Sequence, residues 1–159
     1  MKTIRKILVP TDLSELSLAG LDCAHKLVSH RGAQIYLLHV LARQTMPTPT
    51  AESALGKFGA ACEHSLNSEL EQFLTEQTKR YENIVCIVRR GEAWREIVRY
   101  AREEKIDLIV IATHGRTGLA HVLMGSVAEK VVRHSTVPVL TVKPQLIREA
   151  LLKEDDIEE

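Results

Sequence analysis

His114-Gly115 and Gly125-Ser126, nine residues apart, form the part of this chain whose spacing is best suited to chemistry. They lie between the apolar run Leu108-Ile109-Val110-Ile111-Ala112 and the segment Val127-Ala128-Glu129-Lys130-Val131-Val132. The run reads as a buried parallel strand and the segment as an amphipathic helix. A glycine-bearing loop from strand to helix aims backbone N–H groups and a helix N-terminus at open space. Such a place attracts an anion, most often a phosphate. Gly118 adds a further flexible point to the loop. Ser126 and Glu129 also fit the S-x-x-E capping box, which says only that a helix begins there. Capping and phosphate binding use the same helix end and do not exclude each other, so both readings stay open.

Other phosphate and nucleophile motifs are missing from the sequence. There is no GxxxxGK[ST], no GxGxxG and no GxSxG. An ordinary P-loop ATPase mechanism therefore has no lysine to work with. The seven histidines, His25, His30, His39, His64, His114, His121 and His134, form no HxxxH or HExxH pair. Cys62 and His64 stand alone, without the partners that a zinc site requires. His39, beside Val40 in an apolar run, reads as a hydrogen-bonded core histidine. Asp12 follows Pro10-Thr11 at a strand end. There it either caps the next turn through backbone N–H groups or contacts a ligand, and the two roles are compatible.

The elements that must position these residues follow from five short apolar runs: Ile7 to Val9, Ile35 to Val40, Ile84 to Val88, Leu108 to Ala112 and Val137 to Val142. None alternates apolar with polar, as expected of strands buried on both faces. Four helical stretches separate them. Their apolar faces are Leu16, Gly20, Cys23, Ala24, Leu27 and Val28; then Leu66, Leu70, Phe73 and Leu74; then Ala93, Trp94, Ile97, Val98 and Ala101; then Val127, Ala128, Val131 and Val132. Trp94 at this spacing reads as core. The order βαβαβαβαβ implies one α/β domain, a doubly wound parallel sheet with right-handed crossovers. Ligands of such sheets bind beyond the strand ends where strand order reverses. The ends at Pro10-Thr11-Asp12, Val40-Leu41 and Thr113-His114-Gly115 are therefore the candidate site. The long connection from Leu41 to about Lys57, with Pro47, Pro49 and Gly56, is either a lid or a tolerated surface insertion.

Totals narrow the class. The chain has 159 residues, equal numbers of acidic and basic side chains, and few aromatics. A single domain of this size holds a full core, and nothing in charge or stacking capacity points to nucleic acid. Cys23, Cys62 and Cys86 are odd in number with no CxxC, so reduced cytoplasmic thiols are expected. Ile7 to Val9 is too short for a signal peptide or a membrane span. Gln145 to Glu159 reads as a short amphipathic piece ending in a solvated acidic tail.

With these residues in place, the chain resembles the nucleotide-binding branch of the universal stress protein family over roughly Lys6 to Lys143. The resemblance rests on Ile7-Leu8-Val9-Pro10-Thr11-Asp12, Leu38-His39-Val40, Gly91-Glu92-Ala93, Asp107-Leu108-Ile109-Val110 and Val137-Pro138-Val139-Leu140-Thr141-Val142. The family's ATP motif is glycine, two residues, glycine, nine residues, glycine, then serine or threonine. Gly115, Gly125 and Ser126 fit it, while Ala112 replaces the first glycine. A strand-end residue has negative φ, so alanine there is expected to preserve binding, weakened or tilted toward AMP or ADP.

The resemblance implies an adenine nucleotide alpha hydrolase-like sheet of five parallel strands in the order 3-2-1-4-5 with four helices, spanning residues 1–144 before a tail at 145–159. It implies a cytoplasmic stress-response or signalling protein that binds ATP, ADP or AMP, with Mg2+ accompanying the triphosphate and little or no catalysis. Pro10, Thr11, Asp12 and Val40 would surround adenine and ribose. Ala112, His114, Gly115, Gly125 and Ser126 would line the ribose-phosphate path, with Val127 supplying an N–H. Arg116 is either a phosphate partner or a solvated arginine. A homodimer through the edge strand Val137 to Val142 is also implied; alternatively Leu146 to Leu151 folds back over that edge. The rival readings are an interaction module for a protein partner that has lost nucleotide binding, and a very slow ATPase.

Overall fold

A computed structural model describes residues 3–28, 32–42, 68, 70–81, 83–115 and 124–144. The strands are β1 (Lys6–Thr11), β2 (Gln34–Leu41), β3 (Ile84–Arg90), β4 (Leu108–Ala112) and β5 (Val139–Val142). They form one parallel sheet in the order β3-β2-β1-β4-β5, as the family resemblance implies. The helices among the described residues are α1 (Leu18–Val28), α2 (residues 70–80), α3 (Ala93–Glu103) and α4 (Ser126–His134).

Strand alternation divides the core in two. Ile7, Val9, Ile35, Leu37 and Val110 face α1 and α2, meeting Leu21, Ala24, Val28, Phe73 and Leu74. Leu8, Leu38, Ile109 and Ile111 face α3 and α4, meeting Ile97, Tyr100, Ala101, Ala128 and Val131. Full burial of one such aliphatic side chain is worth about 1.5–3 kcal/mol. A sheet covered on both faces needs no polar side, which is why its strands read as unbroken apolar runs. Among the described residues, no helix is long and apolar enough to cross a membrane.

Several expectations are corrected. The buried stripe of α1 runs through Gly20, Leu21, Ala24 and Val28, while Leu27 is 46% exposed. In α4 only Ala128 and Val131 are buried; Val127 and Val132 face outward. Both slips come from counting every nearby apolar residue into one stripe, whereas a helix lying on a sheet buries about one residue per turn at its contact line. The first strand runs past its apolar run through Pro10 and Thr11, to the end expected for it. The last begins at Val139 rather than Val137, because the Ser135 hydroxyl accepts from Val137 N and donates to Val137 O, holding a turn there. Cys23 and Cys86 are free and half-buried, and burial pushes the Cys86 thiol up. Cys62, the connection from residue 43 to 57 and the tail from residue 145 lie outside the described residues.

Candidate functional site

The site begins with a proline in a central strand. Gln34 N donates to Arg5 O and Asp107 N donates to Lys6 O, so odd residues of β1 bond toward β2 and even residues toward β4. Pro10, which has no N–H, therefore faces β4. The β1–β4 ladder consists of Ile7↔Leu108 and Leu8↔Ile109, while the β1–β2 ladder continues to Thr11↔His39. The sheet parts at Pro10, where strand order reverses, and a crevice opens at the carboxyl ends of the strands. The cavity over it has a volume of about 530 Å³.

Ten of the eleven residues singled out in the sequence line this cavity: Pro10, Thr11, Asp12, Val40, Ala112, His114, Gly115, Gly125, Ser126 and Val127. Arg116 lies outside the described residues, as do Gly118 and His121. Sequence reasoning missed Ser17 and Arg90, together with the apolar wall of Ala93 and Ile97 on α3. Thr113, named with its strand end, lines the cavity as well. Arg90, at the end of β3, belongs to no motif.

The wall after β1 is a hydrogen-bonded turn. Thr11 Oγ1 accepts from Leu13 N at 3.1 Å and bonds Ser17 Oγ at 2.8 Å. Asp12 Oδ1 accepts from Ser14 N at 3.0 Å and from the Ser14 hydroxyl. These bonds hold Leu13 at φ 68°, a conformation that disfavours a branched side chain. The capping role of Asp12 is thus realised, with its carboxylate in the cavity lining as well. His39 Nδ1 bonds Thr11 O at 2.9 Å and the ring is buried, as expected of a core histidine.

The opposite wall is the loop between β4 and α4. Thr113 N donates to Val142 O, tying the loop to β5, and Thr113 Oγ1 bonds His114 Nδ1 at 2.8 Å. Gly125 N donates to Thr113 O at 2.6 Å, which brings the two ends of the loop together. Both glycines are there for closeness. A Cβ on Gly115 would stand 2.3 Å from Asp12 Oδ2, and one on Gly125 would stand 3.2 Å from Thr113 O. Ala112 ends β4 without positive φ, so its methyl group is accommodated in the backbone as expected.

The capping box is not formed. Gly125 is the N-cap of α4 and Ser126 is already helical, one position too late to reach back to the N3 amide. Glu129 pairs with Arg133 instead. A glycine N-cap has no side chain to give, so no cap side chain takes the first-turn N–H groups of Ser126, Val127 and Ala128, all of which line the cavity. This is the geometry of an anion-binding helix end. Among the described residues, no group of three His, Cys, Asp or Glu side chains could hold a metal ion.

Trp94 lies outside the cavity lining. It is half-buried between α3 and α4, packed on the core below, and its outer face stacks on His134 with centroids 4.6 Å apart. Its Nε1 donates to Glu92 Oε1 at 2.5 Å, while Arg95 and Lys130 approach the same carboxylate. The Trp94 hydrogen bond, aided by these cations, holds the Glu92 carboxyl below its ordinary 4.5. A carboxylate held low contributes stability above its ordinary value and loses it as pH falls through its folded value. Emission of this single tryptophan is therefore expected to change in a step below pH 4.5 that Glu92→Gln removes. An acid fluorescence titration of the two proteins checks it.

A profile of the Universal stress protein family matches residues 3–143. The chain belongs to that family. Universal stress protein MJ0577 of Methanocaldococcus jannaschii is 34% identical over 158 residues, covering 87% of this chain and 94% of its own. Its solved structure superposes with a TM-score of 0.76, covering 91% of this chain and 99% of that one at 29% identity. Universal stress protein YxiE of Bacillus subtilis is 32% identical over 149 residues, covering 87% of this chain and 98% of its own. A universal stress protein solved in complex with cAMP shares the fold, with a TM-score of 0.63 and 22% identity over 89% of this chain and 98% of that one.

Proposed function

We propose that this universal stress protein binds an adenine nucleotide in the crevice between β1 and β4 and acts as a nucleotide-dependent regulator. The observation that carries the reading is the glycine-capped N-terminus of α4, whose first-turn N–H groups open onto the cavity beside Gly115. Phosphates sit there, neutralised by the helix end and by backbone donors. Ribose and base extend across Pro10 and Thr11 toward Val40, over an apolar wall formed by Ala93, Ile97 and Ile111. The cAMP complex of a family member supports a purine nucleotide as the class of ligand. A magnesium ion bound with a triphosphate would take phosphate oxygens and water as ligands, its usual manner, with Asp12 the carboxylate of the cavity lining. Two copies pair through β5.

Mass action supplies the test. ATP, ADP or AMP raises the melting temperature with ligand concentration, and UTP and CTP do not. No shift at millimolar ATP with magnesium would overturn the reading and leave an interaction module in its place. Ser126→Ala separates the cap from the ligand. Ser126 is exposed and makes no capping bond, so its replacement leaves the melting temperature of the free protein unchanged. Loss of one hydroxyl bond to phosphate lowers nucleotide affinity by roughly 1 kcal/mol, about fivefold. Thermal melts and titration calorimetry on the same variant check both halves.

A further inference from the structure

One peptide group joins the crevice to the last strand of the sheet. Thr113 is buried, lies one residue past β4 and lines the cavity. Its N–H donates at 2.8 Å to the carbonyl of Val142, the last residue of β5. Its own carbonyl accepts at 2.6 Å the N–H of Gly125, the N-cap of α4. Backbone bonding directions alternate along a strand, so with Val142 turned inward Thr141 presents its N–H and C=O on the outer side. Among the described residues no strand pairs with that side. Side chains repeat the link. Met124, the residue before Gly125, and Val139 of β5 both pack against the core cluster that holds Ala128 and Val131 of α4. Both ends of the loop between β4 and α4 are thus tied to β5 or to the core beneath it.

We propose that nucleotide binding and the pairing of two copies through β5 are coupled, each strengthening the other, with the Thr113 peptide as the link. This rests on the nucleotide site and the β5 pairing proposed above. A nucleotide seated against Gly125 and the first turn of α4 holds the bond from Gly125 to Thr113 closed and, through the same peptide, the end of β5. A partner strand on Thr141 fixes β5 from the other side, and with it the carbonyl that receives the Thr113 N–H. Each event removes freedom that the other must also remove, so whichever comes second costs less. Such coupling is reciprocal: the factor by which pairing tightens nucleotide binding is the factor by which nucleotide, per site, tightens pairing. A two-fold dimer holds two sites, so saturation changes the dimer dissociation constant by the square of the per-site factor.

Sedimentation of wild type with and without saturating ATP and magnesium, together with titration calorimetry of ATP on the wild-type dimer and on Thr141→Pro, tests this. Thr141 is not in the cavity lining and its N–H points away from β4, so the variant leaves the site's own residues in place. ATP is expected to bind the dimer about threefold more tightly than the monomeric variant, and saturating ATP to lower the dimer dissociation constant about tenfold, the square of that factor. In Thr141→Pro, amide hydrogen exchange slows at both Gly125 and Thr113 when ATP is added. The inference is overturned if ATP leaves the dimer dissociation constant unchanged or raises it, if the monomeric variant binds ATP as the dimer does, or if exchange slows at Gly125 and not at Thr113. In those cases ATP still binds wild type and the nucleotide reading stands. A wild type that binds no ATP overturns that reading, a wild type that stays monomeric or a variant that stays dimeric overturns the pairing through β5, and either result overturns this inference.

Discussion

Gly115→Ala is expected to reduce nucleotide affinity by at least about a hundredfold, roughly 2.8 kcal/mol, with only a modest loss of stability. The new Cβ would lie 2.3 Å from Asp12 Oδ2, closer than any carbon can come to a carboxylate oxygen. Something must move, and the short Asp12 side chain moves more easily than the strand-end backbone on either side. When it turns, the bonds it accepts from Ser14 weaken, at a cost of about 0.5–1.5 kcal/mol each. The crevice then has a displaced carboxylate and a methyl group where ribose and phosphate should pass. From the sequence alone, Gly125→Val is expected to block phosphate and spare the fold. The structure makes it a less clean test, because a Cβ at Gly125 stands 3.2 Å from the Thr113 carbonyl that receives the Gly125 N–H. Its branches load the loop closure as well as the ligand space, so it lowers stability along with binding. Thermal melts with titration calorimetry on both variants check this; wild-type affinity in Gly115→Ala would show that no ligand passes between Gly115 and Asp12.

The parallel sheet and the crevice were legible because each followed from a local signal with one physical cause, whereas the strand order came from the family resemblance. Unbroken apolar runs mean two covered faces, helices between them mean parallel strands, and the glycines of the β4–α4 loop mark a close approach. Helix faces were harder. Leu27 and Val132 carry the same apolar chemistry as Leu21 and Val131, and only the line of contact with the sheet decides which is buried. The capping box failed for a similar reason. The pattern Ser126 to Glu129 is present, but the Gly125 N–H bond to Thr113 O sets the helix start one residue earlier. Arg90 was invisible because it comes to the cavity lining through register with Leu41, a residue far away in sequence, and belongs to no motif of its own. The role of Pro10 as the point where the sheet opens also needed the directions of two backbone hydrogen bonds, which no sequence pattern states.

Thr141→Pro is expected to convert a dimer into a monomer without unfolding the sheet. β5 pairs with β4 on one side, and among the described residues no strand pairs with its other side. Ile109 N donates to Pro138 O and Thr113 N donates to Val142 O, so the even positions of β5 bond inward. The backbone groups of Val139 and Thr141 consequently point out of the sheet, ready to pair with another strand. Leu140, 38% exposed, and Val132, 45% exposed, leave apolar surface at this end of the sheet. A second copy related by a two-fold axis would pair antiparallel and cover that edge. Proline at Thr141 removes an outward N–H and spares every bond to β4, the one arrangement a strand tolerates. Lysine at Val139 would be a poorer probe, since Val139 packs against the core and its loss weakens the monomer itself. Sedimentation of wild type and Thr141→Pro at micromolar concentration checks the seam. A dimeric wild type beside a folded, monomeric variant is the expected pair. A wild type that is monomeric at that concentration, or a variant that remains dimeric, would place the seam elsewhere or remove it.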